Sequence, residues 1–151
     1  MNLETHLSGA FAAPRLTDRS VYNKPPTMKA AIVILSDPNA DNDDALGRLF
    51  NGLSTAYEFQ SQGDAVSVLF SGPGTRWPAV LADATHPAHE LYKSLEGSIA
   101  GVSCGCADVF GATEAAEAAG MPLIKDFALP GTSGVPSLRS LIQDGHQVLT
   151  F

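Results

Sequence analysis

The two cysteines of the chain, Cys104 and Cys106, are the residues whose chemistry first draws notice. They lie within Gly101–Gly111, where an apolar segment typical of a strand gives way to an alanine-rich segment typical of a helix. Amide N–H groups at the start of a helix lack intrahelical acceptors and favour a nearby negative charge. Because the thiolate is the nucleophilic form of cysteine, this stretch predicts a reactive thiol.

The two thiols have different predicted surroundings. Cys106 begins the predicted helix, and we assign it as the catalytic nucleophile. Cys104 ends the predicted strand, and we include it in the catalytic group as a neighbouring or resolving thiol. Free cysteine often behaves as a small buried hydrophobe, so a purely structural role stays open for both residues. Their one-residue spacing also differs from the C-x-x-C of dithiol oxidoreductases.

A glycine-rich turn follows the second predicted strand, and its residues form the candidate substrate-binding group. Arg76 could bind an anion, and Trp77 could form the wall of a pocket. Gly72 and Gly74 lack the spacing of a dinucleotide-binding fingerprint and the lysine of a P-loop. A tight turn without ligand is therefore the alternative interpretation.

The remaining sequence patterns do not match known metal-binding motifs. The acidic loop 36–44 resembles the opening of a calcium loop, but Asn42 stands at its glycine position and Arg48 at its glutamate position. Helix capping explains its last aspartates better, and no lysine is placed to complete a receiver-like phosphoacceptor pocket. His86 and His89 lack the spacing of a zinc-protease motif.

A thiolate metal site built from both cysteines and a histidine is a further alternative. A closed zinc site needs about four ligands, and only the two thiols can be named. We therefore predict no resident metal and no cofactor.

The elements around these residues alternate between strand and helix. A continuous apolar run with β-branched residues predicts the first strand at Ala30–Leu35. Four further strands are predicted at Ala65–Phe70, Ile99–Cys104, Leu123–Phe127 and Gln147–Phe151, of which Leu123–Phe127 has the weaker pattern. Helical spacing or composition predicts the intervening helices, which begin near Ala45, Pro78, His89, Cys106 and Leu138. The helix at Cys106 is predicted to run without interruption to Ala119. This alternation predicts a three-layer α/β/α domain with a mainly parallel sheet.

The cysteine turn, the acidic loop and the glycine-rich turn all follow predicted strands. In open α/β sheets, ligands bind beyond the carboxyl ends of the strands, so we expect these segments to share one edge. Residues 1–27 are irregular and end in two prolines, and we interpret them as an N-terminal arm. Residues 28–151 are predicted to form one domain.

Composition excludes several partners. With a net charge of −7 and no basic run among its 151 residues, the chain is not expected to bind nucleic acid or anionic lipid. No apolar run approaches the roughly 20 residues of a membrane helix, and the N-terminal residues do not resemble a secretory signal. Two closely spaced cysteines are a poor disulfide framework, so we expect a cytoplasmic protein.

Three runs together resemble the DsrE family of small sulfur-relay-type proteins. They are Leu69–Trp77 (LFSGPGTRW), Cys106–Leu123 (CADVFGATEAAEAAGMPL) and Pro136–Phe151 (PSLRSLIQDGHQVLTF). The resemblance spans about residues 29–151 and implies a flavodoxin-like sheet and homo-oligomers. In sulfur-relay members it implies a cysteine that carries sulfur as a persulfide.

Cys106 matches the family's cysteine through the Cys-Ala and Phe-Gly steps that follow it. Ser103 stands where compared relatives have a second cysteine, and we add it to the candidate substrate-binding residues. The departure disfavours dithiol redox chemistry more than single-thiol sulfur carriage. The expected function is a sulfur carrier or sulfurtransferase that exchanges sulfur with donor and acceptor proteins; the alternative is a non-catalytic oligomeric domain that binds a small molecule or anion.

Overall fold

A computed structural model describes residues 27–151. The predicted arm, apart from Thr27, lies outside the described residues. The strands that make up the sheet are β1 (Lys29–Ile34), β2 (Ala65–Phe70), β3 (Ile99–Ser103), β4 (Leu123–Ile124) and β5 (Gln147–Thr150). The helices are α1 (Asp43–Ser61), α2 (Trp77–Leu81), α3 (His89–Ser94), α4 (Cys104–Val109), α5 (Thr113–Ala118) and α6 (Leu138–Gln143). Short 3-10 segments cover Gly72–Arg76 and Glu96–Ser98.

All five strands are parallel and lie in the order β4-β3-β2-β1-β5. The chain steps in one direction from β1 to β4, and right-handed crossovers therefore place α1 to α5 on one face of the sheet. The return to β5 runs the opposite way and places α6, which packs against β5, on the other face. The result is the predicted three-layer, flavodoxin-like α/β/α fold. The edge strand next to β1 is β5, the last strand in the chain.

The interior strand β1 is buried on both faces, as its continuous apolar sequence predicts. One face packs against α1, where Leu49 and Leu53 are fully buried. Gly52 lies against the side chains of Ile34 and Phe151, and a methyl group at this position would displace the Ile34 side chain, so glycine favours the close approach of α1 to the sheet.

The prediction of one helix over Cys106–Ala119 is wrong. Gly111 adopts φ +66°, and Ala112 N–H donates to the Ala107 carbonyl at 2.7 Å, so a glycine C-cap ends α4. A second helix, α5, then begins at Thr113. The alanine-rich composition favours helix on both sides, but it does not reveal that Gly111 takes the left-handed conformation.

Candidate functional site

The cysteine turn lies at the carboxyl end of β3. Helix α4 begins at Cys104, two residues earlier than predicted, and Ser103 is its N-cap. The Ser103 hydroxyl accepts a hydrogen bond from the Cys106 amide at 3.4 Å, so Ser103 contributes to the local structure of the turn. Cys106 is therefore the third residue of a short helix and not its first.

The two thiols have different exposure, and both are free. Cys104 is only 7% exposed and belongs to the buried core, whereas Cys106 is partly exposed. Val109, one turn further along α4, is 72% exposed and marks the open side of the helix. Cys106 is therefore the more exposed of the two cysteines.

One wall of the turn is formed by the loop between β4 and α6. Phe127 and Val135 form an antiparallel bridge that closes this loop. The Gly134 carbonyl accepts a hydrogen bond from the Gly105 amide at 2.6 Å, so one amide of the first turn of α4 is already paired with protein. The loop is thereby held beside the segment that carries both cysteines.

Asp108 strengthens this attachment. Its carboxylate accepts hydrogen bonds from the hydroxyls of Ser133, at 2.5 Å, and Thr113, at 2.7 Å. These two hydrogen bonds, that of Ser133 first, lower the pKa of Asp108 below its ordinary value. Sequence reasoning missed this role, because nothing in the sequence indicates that Ser133 returns to α4.

Arg76 joins two of the loops at this edge of the sheet. Its Nη1 donates to both carboxylate oxygens of Asp37, at 3.0 and 2.9 Å, and its Nε and Nη2 donate to the Phe110 carbonyl. The guanidinium also lies 5.6 Å from the centre of the Phe110 ring. The pKa of Asp37 is lowered first by the Asn39 amide and then by Arg76. The guanidinium of Arg76, which was predicted to bind an anion, is thus paired with the carboxylate of Asp37.

Trp77 and the two glycines also contact the protein itself. The Trp77 indole is 3% exposed and donates to the Ser36 carbonyl at 2.8 Å. Gly72 adopts φ +56° at the start of the turn, and Gly74 packs against the Ile34 carbonyl of β1. Their proposed part in substrate binding stays a prediction, while their visible contacts attach the glycine-rich turn to β1.

The alternative metal site lacks further ligands in the described part of the chain. Residues 27–151 contain no group of three or more histidine, cysteine, aspartate or glutamate side chains placed to hold a metal ion. Cys104 and Cys106 thus have no third ligand there.

No helix within residues 27–151 has both the length and the apolar character needed to cross a bilayer. In comparisons with protein-family models, curated proteins and solved structures, the chain has no significant match.

Proposed function

We propose that the protein is a single-thiol sulfur carrier in which Cys106 accepts and passes on a persulfide sulfur. The observation that carries this proposal is the unequal exposure of the two cysteines, with Cys106 partly exposed and Cys104 buried. The resemblance of three sequence runs to the DsrE family supports the same chemistry. The proposal needs one accessible thiolate and no resolving partner.

The reaction is a sulfur exchange without net oxidation. The Cys106 thiolate attacks the outer sulfur of a donor persulfide, R–S–SH, and forms a new S–S bond. The S–S bond of the donor breaks, the donor leaves as the thiolate R–S⁻, and the proton stays on the transferred sulfur. An acceptor thiolate then repeats the exchange on Cys106–S–SH and restores the Cys106 thiolate.

The setting of Cys106 favours a protein-bound donor. A cavity of about 360 Å³ lies just beyond it along the chain, but its lining residues are Asp108, Gly111, Thr113 and Glu114, and Cys106 is not among them. A thiol on an open helix surface can be reached by a cysteine on another protein. We propose donor and acceptor proteins as the partners, within the reducing cytoplasm.

A homo-oligomer is part of the same proposal. Large apolar side chains remain exposed on α6 and on the loop before it, including Phe127 (53%) and Ile142 (60%). Burial of such exposed apolar side chains against another protein surface would favour association. Sedimentation equilibrium should give a mass above that of one chain, and a mass equal to one chain would contradict this part of the proposal.

Loading of Cys106 with sulfur can be measured directly. Incubation with a persulfide donor, followed by removal of the donor and intact-mass measurement, should add the mass of one sulfur atom to the wild type. Cys106→Ser should add none, because it lacks the attacking thiolate. Cys104→Ala is the matched control and should load like the wild type, since Cys104 is buried.

Two results would refute the loading prediction. One is a wild type that gains no sulfur, and the other is a Cys106→Ser variant that gains as much as the wild type. Loss of loading in Cys104→Ala, with its circular dichroism spectrum unchanged, would instead assign the chemistry to the thiol pair.

A further inference from the structure

A cavity of about 290 Å³ lies at the carboxyl edge of the sheet, between the ends of β1 and β5. Its polar lining includes Ser36, Asn42, Asp44, Arg48 and Thr150. Leu35, Ala45 and Phe151 contribute apolar surface. No cysteine lines this cavity, which lies two strands away from β3 and its cysteine turn.

The topology gives this position significance. The chain moves from β1 toward β4 on one side and places β5 on the other side of β1. In open α/β sheets, ligands bind outside the carboxyl ends of the strands. The cavity lies at that edge of the sheet, beside the ends of β1 and β5.

The acceptors in the cavity wall already have donors. Asn42 Oδ1 accepts from the Asp44 amide at 3.0 Å, and Asp44 Oδ2 accepts from Arg48 Nε at 2.6 Å. Both oxygens of Asp37, which also lines the cavity, accept from Arg76. These two carboxylates are therefore each paired with an arginine.

Several donors, by contrast, have no acceptor among residues 27–151. They include both Nη groups of Arg48 and Nδ2 of Asn42. The side chain of Ser36 belongs to a residue that is only 9% exposed, and its Oγ accepts from the Trp77 indole at 3.3 Å. Its own hydroxyl hydrogen has no acceptor in the described chain. A serine hydroxyl can donate one hydrogen bond in addition to those that it accepts.

We infer that this cavity binds a small molecule through a carboxylate or phosphate group. Such a group brings several acceptor oxygens and a negative charge to a wall that offers unused donors and the guanidinium of Arg48. The adjoining apolar surface of Leu35 and Phe151 would contact the remainder of the molecule. The inference is independent of sulfur carriage by Cys106.

A nuclear magnetic resonance titration tests this site with inorganic phosphate and, separately, acetate, each at constant ionic strength against chloride. The two anions distinguish a phosphate-binding from a carboxylate-binding site. At least one should produce saturable shifts in the amides of Ser36, Asn42 to Arg48 and Phe151. Arg48→Gln should weaken that binding about tenfold, the effect of losing one hydrogen bond to a charged group.

Arg139→Gln is the matched control, since it removes the same charge from α6, where Arg139 does not line the cavity, and it should change the affinity by less than about twofold. Arg48 has a side chain 59% exposed, so its replacement should leave the dispersion of the spectrum unchanged. Absence of saturable shifts at the cavity with both anions would overturn the inference. Equal weakening by Arg48→Gln and Arg139→Gln would overturn it too, since it would indicate a general charge effect.

Discussion

Asp108 is the residue whose contacts most directly connect the cysteine helix to its surroundings. It lies two positions after Cys106 and accepts hydrogen bonds from Thr113, across the break between α4 and α5, and from Ser133 in the following loop. The carboxylate is the form that accepts both bonds, so they favour ionisation in the folded state. This coupling makes the attachment of the loop sensitive to acid.

Replacing Asp108 should therefore have an effect on stability that depends on pH. Because its folded-state pKa is lowered, the stabilisation is fully present above the ordinary value of 3.8 and is lost as the pH falls through the folded-state value. Urea unfolding should show Asp108→Asn to be less stable than the wild type at pH 7. The difference should narrow in acid.

Asp126→Asn provides the comparison for this experiment. Asp126 is exposed and makes no hydrogen bond through its side chain to residues 27–151. Its replacement should have a small effect at both pH values. A stability difference for Asp108→Asn that stayed constant from pH 7 into acid would contradict the ionic role assigned to Asp108.

Residue-level chemistry was only partly accessible from the sequence. The strand-to-helix transition located both cysteines, but it did not show that Cys104 is the first residue of α4 and is buried. Arg76 is predicted from the sequence to bind an anion, and the structure shows that it pairs with Asp37, 39 positions earlier. Pairing across such a separation depends on how β1 and β2 align, and a local pattern carries no information about it.

Among the elements, the 3-10 segment Gly72–Arg76 determines how the loops meet at the sheet edge. Its glycines allow it to lie directly on the end of β1, with Gly74 against the Ile34 carbonyl. This close contact places the side chains of Arg76 and Trp77 where they donate hydrogen bonds to Asp37 and Ser36, respectively. The same segment was predicted as a tight turn that could also bind substrate.

Gly74→Ala should consequently destabilise the fold. The added methyl group would overlap the Ile34 backbone, and backbone atoms cannot move aside as a flexible side chain can. We expect a loss of about 2 kcal/mol or more in the free energy of unfolding, as for other overpacked sites. Urea denaturation followed by the fluorescence of Trp77, the single tryptophan of the chain, measures it.

Gly47→Ala is the control, because Gly47 lies in α1 with no other atom near the position of an added methyl group. It should leave stability unchanged or raise it by up to about 1 kcal/mol, since alanine has the higher helix propensity. Equal stability of Gly74→Ala and the wild type would show that the turn is not packed as described.

The limits of β1 and β2 were predicted more accurately than those of the helix after β3, for a physical reason. β1 is a mostly buried apolar strand and β2 is apolar apart from Ser67, and their predicted limits differ from the observed ones by one residue or less. The helix over 106–119 was predicted from propensity, which is similar on both sides of Gly111. Capping at that glycine depends on its φ angle, and composition does not encode that angle.

For the whole molecule, the five parallel strands bring separate loops to one edge of the sheet, where both proposed sites lie. The thiol of Cys106 lies at the end of β3, and the cavity with its unused donors lies between β1 and β5. Arg76 connects the two regions, because it bonds Asp37 beside the cavity and Phe110 at the end of α4. Alternation of strands and helices was sufficient to predict the layers, but the position of β5 beside β1 came only from the structure.

Sulfur carriage requires delivery as well as loading, so a single-turnover transfer is the most direct measurement of the central claim. Wild-type protein is loaded, freed of donor and mixed with an acceptor thiol, and the sulfur on each is followed by mass spectrometry. The account predicts that the sulfur leaves Cys106 as an equal amount of acceptor persulfide forms, and that Cys106→Ser treated in the same way delivers none. Sulfur that stays on the wild type, or equal delivery by the Cys106→Ser variant, would contradict it.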